Sequence, residues 1–236
     1  MLYRKIIKRV IDKLVAFCAL VLFVPFYIAI AAALKIDSEG PVLFKQERVG
    51  YRKKTFKVYK FRTMRTDAPK YSPTRDLGNP HLYITKVGGF LRRTSLDEFP
   101  QLLNVLKGEM SIIGPRPVVW NETDLICERD KRRVYEKVYP GITGLAQIRG
   151  RDAVGVKQKA RYDAIYADKI SFGADLFIFW KTIVSVLKKE GIFEGDSVET
   201  SVRNLRVIYN EKKTGCTRTE PDETAYENKA SDRASL

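Results

Sequence analysis

LVAFCALVLFVPFYIAIAAAL, residues 14–34, runs for twenty-one positions without a charge and carries Pro25 near its centre. At 1.5 Å per residue a straight helix of this length reaches about 31 Å, enough to cross a bilayer core. The stretch is longer than the apolar region of a cleaved signal peptide, so it is read as a membrane segment. Whether it spans is decided by its flanks. Arg4, Lys5, Lys8, Arg9 and Lys13 precede it, and Lys35, Lys45, Arg48, Arg52, Lys53 and Lys54 follow. The positive-inside rule places both sides in the cytoplasm, which requires the segment to turn back. Pro25 removes a backbone hydrogen bond where such a turn would fall. A re-entrant helix–break–helix hairpin and a kinked spanning helix both remain open from these residues alone.

The remainder has a globular composition. Of 236 residues, 44% are hydrophobic and 30% charged, and the formal net charge of +15 points to acidic partners: nucleic acid, an anionic membrane face or phosphorylated small molecules. Cys18, Cys127 and Cys216 match no metal spacing or disulfide framework, which fits a reducing, cytosol-facing location. With His81 as the only histidine, a Ser-His-Asp triad or a multi-histidine zinc site is disfavoured.

Outward from the apolar segment, VLFKQERV and KTFKVYKFRTM flank GYRK and read as a β-hairpin. Residues 66–80 form a Pro, Asp and Gly loop. LDEFPQLLNVLKG reads as a helix ending near Gly108, residues 121–138 as a charged amphipathic helix, PGITG (140–144) as a turn, and Val156 to Lys169 as a further helix. FGADLFIFWKTIVSVLKK, 172–189, is apolar around most of its circumference; an interfacial helix anchored by Phe177, Phe179 and Trp180 and a buried core helix both fit it. The reading is thus an α+β, mostly helical fold with a small β-hairpin. It has a membrane-embedded segment at 1–36, a globular domain at 37–195 and a polar, partly disordered tail at 196–236.

Within that domain, TSLDEFPQLLN (94–104) follows Arg92 and Arg93 and sets Asp97 beside Glu98. The plain explanation is a capping box, with Ser95 as N-cap and Glu98 three residues on. Cationic residues recur where the core should turn: Lys60 and Arg62 in KFRTM, Lys86, Arg92, Arg93, Arg116 in GPRP, and Arg149 and Arg151 in IRGR. Each alone suits a solvated surface, and P-R-P a polyproline-like turn. Brought together, they would hold a diphosphate while one carboxylate meets phosphorus and the other holds a hard cation. Successive helix residues point about 100° apart, so Asp97 and Glu98 would take different tasks.

In the order KRVIDKLVA, PVLFKQERVG, KVYKFRTM, ITKVGGFLRRTSLDEFPQLLNVLKGEMSIIGPRP, YPGITGLAQIRGR and YADKISFGADLFIFWKTI, the chain resembles the bacterial sugar transferases, monotopic phosphoglycosyl transferases in their minimal catalytic form, over about residues 5–195. The resemblance implies transfer of a sugar phosphate from a UDP-sugar to undecaprenyl phosphate at the cytoplasmic face of the bacterial inner membrane, with release of UMP. It implies Asp97 as nucleophile, Glu98 as the Mg²⁺ ligand, Arg116 with Arg92 and Arg151 at substrate phosphates or nucleotide, and Lys8 and Arg9 at lipid headgroups. It also implies a membrane helix broken at Pro25 and interfacial amphipathic helices. Two departures stand out: Val24 precedes Pro25 where many members carry Ser, and Leu145 follows GITG where an aromatic is frequent. Two rival classes remain: a non-catalytic membrane scaffold, and a nucleic-acid binder, which the apolar segment and the lack of any recognisable nucleic-acid motif oppose. The expected partners are UDP-sugar, undecaprenyl phosphate and membrane lipids, without nucleic acid, and a homodimer is left open.

Overall fold

The uncharged stretch folds as two helices. A computed structural model of the chain describes residues 2–69, 82–150 and 154–188, which belong to one unit, Met1–Asp196. A π-helical turn, Tyr3–Ile7, leads into α1 (Lys8–Leu22), and α2 (Val24–Asp37) follows after Phe23. The two helical segments are bent by 62°. Pro25 is the second residue of α2, where a helix has no internal acceptor for its N–H, so the proline starts a helix instead of breaking one. At the joint the backbone satisfies itself: Phe23 donates to the Ala19 carbonyl at 3.0 Å and accepts from the Tyr27 N–H at 3.0 Å. No side chain caps the break, which answers how Val24 can stand there. Among the described residues no single helix is long and apolar enough to cross a membrane, whereas the bent pair passes by length and composition.

Spacing along α1 separates its faces. Lys8, Asp12 and Ala16, four apart, are buried, while Val10, Leu14, Phe17 and Val21 are exposed. Ala16 packs with Val58, Val105 and Met110, and Leu34 of α2 packs with Phe61 and Leu91. The apolar pair is therefore seated on the polar-faced domain by one side only.

β1 (Leu43–Val49) and β2 (Thr55–Phe61) pair antiparallel, with Leu43 opposite Phe61 and Val49 opposite Thr55, as the hairpin reading expects. Their connection holds Arg52 and Lys53 at positive φ. After α3 (Lys86–Thr94) comes a 3₁₀ turn, Leu96–Gln101, then α4 (Leu102–Lys107), which ends at Gly108 with φ +78°. The expected single helix over LDEFPQLLNVLKG is thus two segments: Pro100 lies inside the tighter 3₁₀ turn.

β3 (Ser111–Ile113) has no counterpart in the sequence reading; it pairs in parallel with β4 (Gly141–Thr143), so PGITG is partly a strand. Between them α5 (Thr123–Lys131) and α6 (Val134–Lys137) replace the one helix expected over 121–138, because Arg133 adopts φ +55° between them. α7 (Leu145–Ile148), α8 (Val156–Asp168) and α9 (Phe172–Leu187) complete the fold. In α9 Ile178 is buried, yet Phe172, Leu176, Phe177, Phe179 and Trp180 are exposed, so the buried-core alternative for this helix is overturned. The tail 196–236 and most of the 66–80 loop lie outside the described residues.

Candidate active site

Asp97 and Glu98 owe their placement to Ser95. This residue takes the left-handed conformation, φ 58° and ψ 15°, ends α3 and starts the 3₁₀ turn. The Glu98 N–H then bonds to the Ser95 carbonyl at 3.3 Å, and the Ser95 side chain makes no capping bond. The expected capping box is therefore not formed. At three residues per turn adjacent side chains diverge by about 120°, more than in an α-helix. The two carboxyl groups accordingly sit in different surroundings.

Asp97 is only 9% exposed. Burial pushes its carboxyl above the ordinary value; Lys60 opposes that, Glu98 adds to it, and Arg92 and Arg116 oppose it again. Glu98 accepts from Lys60 Nζ at 2.8 Å and from Arg116 Nη2 at 2.7 Å on Oε1, and from Arg116 Nη1 at 3.3 Å on Oε2. Burial lifts its carboxyl too, but Arg116 and Lys60 overcome the lift and hold it well below the usual carboxylate range. Arg92 is aimed by its own bond, Nε to Thr63 Oγ1 at 2.9 Å. β2 thus delivers Lys60 and its extension Thr63, α3 delivers Arg92, and the segment after β3 delivers Arg116.

The bent helix pair borders this group directly. The Phe23 ring at the bend meets Phe99 edge-on at 5.3 Å, and Tyr27 Oη donates to the Phe99 carbonyl at 3.3 Å. Phe99 is the residue after Glu98, so the bend and the acidic pair are neighbours.

Other sequence-selected cations fall elsewhere. Arg62 is buried and donates to the carbonyls of Leu34 at 3.2 Å and Ser38 at 2.7 Å, and to that of Glu39. It satisfies the carbonyls ending α2, so the bonds it makes differ from the substrate contact expected of it. Lys8, expected at headgroups, is buried: its Nζ donates to Asp175 Oδ2 at 2.8 Å and lies 3.5 Å from Asp12. Arg9 is exposed, with its guanidinium 4.0 Å from the Tyr139 ring centroid. Arg151 lies outside the described residues.

Sequence reasoning missed the groups that hold Arg116. Its carbonyl accepts from Arg129 Nη1 at 2.9 Å, and the Pro117 carbonyl from Arg48 Nη1 at 3.2 Å. Around it Gly114 N bonds to Thr143 O at 2.8 Å and Gly141 N to Pro115 O at 2.9 Å. A Cβ on Gly141 would lie 2.1 Å from Gly114 N, and one on Gly144 2.1 Å from Gly114 O, so this crossing admits no side chain. The glycine spacing in GPRP and PGITG was the available signal; the arginine clamps carried none.

A hard cation can be tested against these donors. Among the described residues no group of three or more His, Cys, Asp or Glu could hold a metal ion by itself. Mg²⁺ commonly takes one or two carboxylates and completes its shell with water and substrate phosphate, and Glu98 Oε2, whose contact with Arg116 is the longer one, fits that use.

The profile described as "Bacterial sugar transferase" matches residues 3–189. The chain belongs to the bacterial sugar transferase family. Among relatives of this family, the "Uncharacterized sugar transferase EpsL" of Bacillus subtilis is 42% identical over 196 residues, covering 82% of this chain and 93% of that protein. The "Exopolysaccharide production protein ExoY" of Rhizobium meliloti is 39% identical over 201 residues, covering 79% and 88%. A "UDP-glucose:undecaprenyl-phosphate glucose-1-phosphate transferase" of Klebsiella pneumoniae is 40% identical over 187 residues, covering 75% of this chain and 39% of that longer protein. The sugar transferase match spans every element that builds the acidic pair and its cations.

Proposed function

We propose that this sugar transferase moves a sugar-1-phosphate from a UDP-sugar to undecaprenyl phosphate, initiating polysaccharide or glycoconjugate assembly. The observation that carries the reading is the buried Asp97 carboxyl beneath Lys60, Arg92 and Arg116, next to a bent apolar helix pair. The substrates stated in the name of the Klebsiella relative agree with that chemistry.

The reaction has two displacements. An oxygen of Asp97 attacks the β-phosphorus of the UDP-sugar, and the bond from that phosphorus to the bridging oxygen breaks as UMP leaves with the electron pair. A phosphate oxygen of undecaprenyl phosphate then attacks the same phosphorus and expels the Asp97 carboxylate, leaving a lipid diphosphosugar. Raising the basicity of a carboxylate raises its nucleophilicity, so burial of Asp97 serves the first step, while the cations keep the ionised form accessible. Arg116 and Arg92 stabilise charge on the transferring phosphoryl oxygens, the dominant contribution in such reactions. Mg²⁺, bound at Glu98 with the diphosphate, would neutralise phosphate charge. Lys60 orients Glu98 through its 2.8 Å bond.

The bent pair is read as a re-entrant hairpin, with both basic flanks on the cytoplasmic face of the inner membrane and the exposed face of α9 in the interface. Lipid phosphate would then arrive at the level of the Phe23–Phe99 contact. The test is intact-mass detection of a sugar-phosphate adduct on Asp97 during incubation with a panel of UDP-sugars, with UMP release followed in parallel. Asp97→Asn is expected to lower turnover by at least 10³-fold and abolish the adduct. Full turnover by that variant removes the covalent mechanism.

A further inference from the structure

Among the described residues the least accessible charged side chains are Arg129 of α5, 3% exposed, and Asp163 of α8, 1% exposed. Arg129 Nε donates to Asp163 Oδ2 at 2.8 Å, and its Nη2 lies 2.7 Å from the same oxygen. Among the described residues the other oxygen, Oδ1, is buried without a hydrogen-bond partner. An ion pair with one carboxylate oxygen unsatisfied is a poor source of stability, because desolvation is incompletely compensated. Its geometry suggests another purpose. The remaining arm of Arg129, Nη1, reaches the backbone carbonyl of Arg116 at 2.9 Å, and the side chain of Arg116 reaches Glu98. Arg116 itself lies at the surface, so its long side chain depends on a fixed backbone for its aim.

We propose that the buried Arg129–Asp163 pair is a positioning device, holding the Arg116 backbone so that its guanidinium stands over the Asp97–Glu98 pair. The inference rests on the reading of that pair as the phosphoryl-transfer site. Asp163 fixes the plane of the Arg129 guanidinium through two donors on one oxygen, and that plane directs Nη1 at one carbonyl. Arg48 adds a second hold at the Pro117 carbonyl. The segment is thus gripped at consecutive residues by guanidiniums from β1 and α5. Both act on the acidic pair through Arg116.

Removing one member leaves a buried unpaired charge and endangers folding, so the informative variant replaces both, Arg129→Met with Asp163→Leu, a change buried ion pairs often tolerate. It is compared with Arg116→Ala and with the triple variant, all in full-length protein, with thermal unfolding confirming the fold. The expected result is a loss of about 10²-fold in kcat for the double variant, the scale of a misplaced transition-state contact. Little further loss is expected when it is added to Arg116→Ala, because both changes remove the same interaction. Losses that multiply, or wild-type kcat in the double variant, overturn the proposal. Nitrogen-15 NMR of the Arg116 guanidinium gives a readout independent of activity: hindered rotation against Glu98 in the wild type and free rotation in the double variant. Persistence of hindered rotation overturns the positioning role even if no UDP-sugar is turned over, an outcome that instead counts against the transferase reading.

Discussion

At the scale of single residues, two adjacent carboxyl groups are driven in opposite directions. Burial leaves Asp97 above its ordinary value, while at Glu98 the same effect is outweighed by Arg116 and Lys60. A carboxyl held below its unfolded value stabilises the fold at every pH above that value, and this contribution is lost as pH falls through the folded value. For Glu98 the window therefore opens below the ordinary value of 4.5 and extends toward stronger acid. Glu98→Gln is expected to unfold at lower temperature than wild type at pH 7, with the difference shrinking steadily below pH 4.5; thermal melts across pH 3 to 7 measure it. A gap that widened in acid would contradict the pairing. The sequence displayed the acidic pair and its basic surroundings but could not rank the cations. Lys60 and Arg62 are two apart on one extended segment and look equivalent in KFRTM, yet one meets Glu98 and the other the end of α2. That difference is tertiary: it depends on where α2 ends.

Among the elements, those with strong periodicity or turn signals were readable and those made by crossing backbones were not. The β1–β2 hairpin and α8 follow their patterns closely, because alternation and helical spacing are local properties. The β3–β4 pair joins three-residue strands about thirty positions apart, too short to show a period. What permits it is the absence of side chains at Gly114, Gly141 and Gly144. Gly141→Ala would force a methyl to 2.1 Å from a backbone nitrogen and is expected to destabilise the fold by about 1–3 kcal/mol or more, with loss of transfer because Arg116 follows Gly114 in the chain. Denaturant unfolding together with UMP release reads both effects. Pro25 belongs to this scale too. Placed as the second residue of α2, it has a position that costs the helix no hydrogen bond, and it offers no N–H to the last turn of α1. On the re-entrant reading, Pro25→Ala is expected to let a fraction of chains straighten and span, exposing the N-terminus outside the cell to added protease; protection equal to that of the wild type would mean that packing alone fixes the bend.

At the largest scale, an apolar helix pair meets the rest of the described chain with the Asp97–Glu98 pair at the seam. Four consecutive residues of β2 and its extension reach four different places. Lys60 bonds Glu98, Phe61 packs with Leu34 and Leu91, Arg62 grips the carbonyls that end α2, and Thr63 receives Arg92. These links tie the bent helix pair to the acidic pair through one segment: on the re-entrant reading proposed above, a hairpin settling deeper or shallower in the bilayer would carry Lys60 and Thr63 with it. Bilayer thickness would then act on the rate of transfer. Transfer measured in vesicles of increasing acyl chain length is expected to pass through an optimum, falling severalfold on either side as the hairpin adjusts to mismatch.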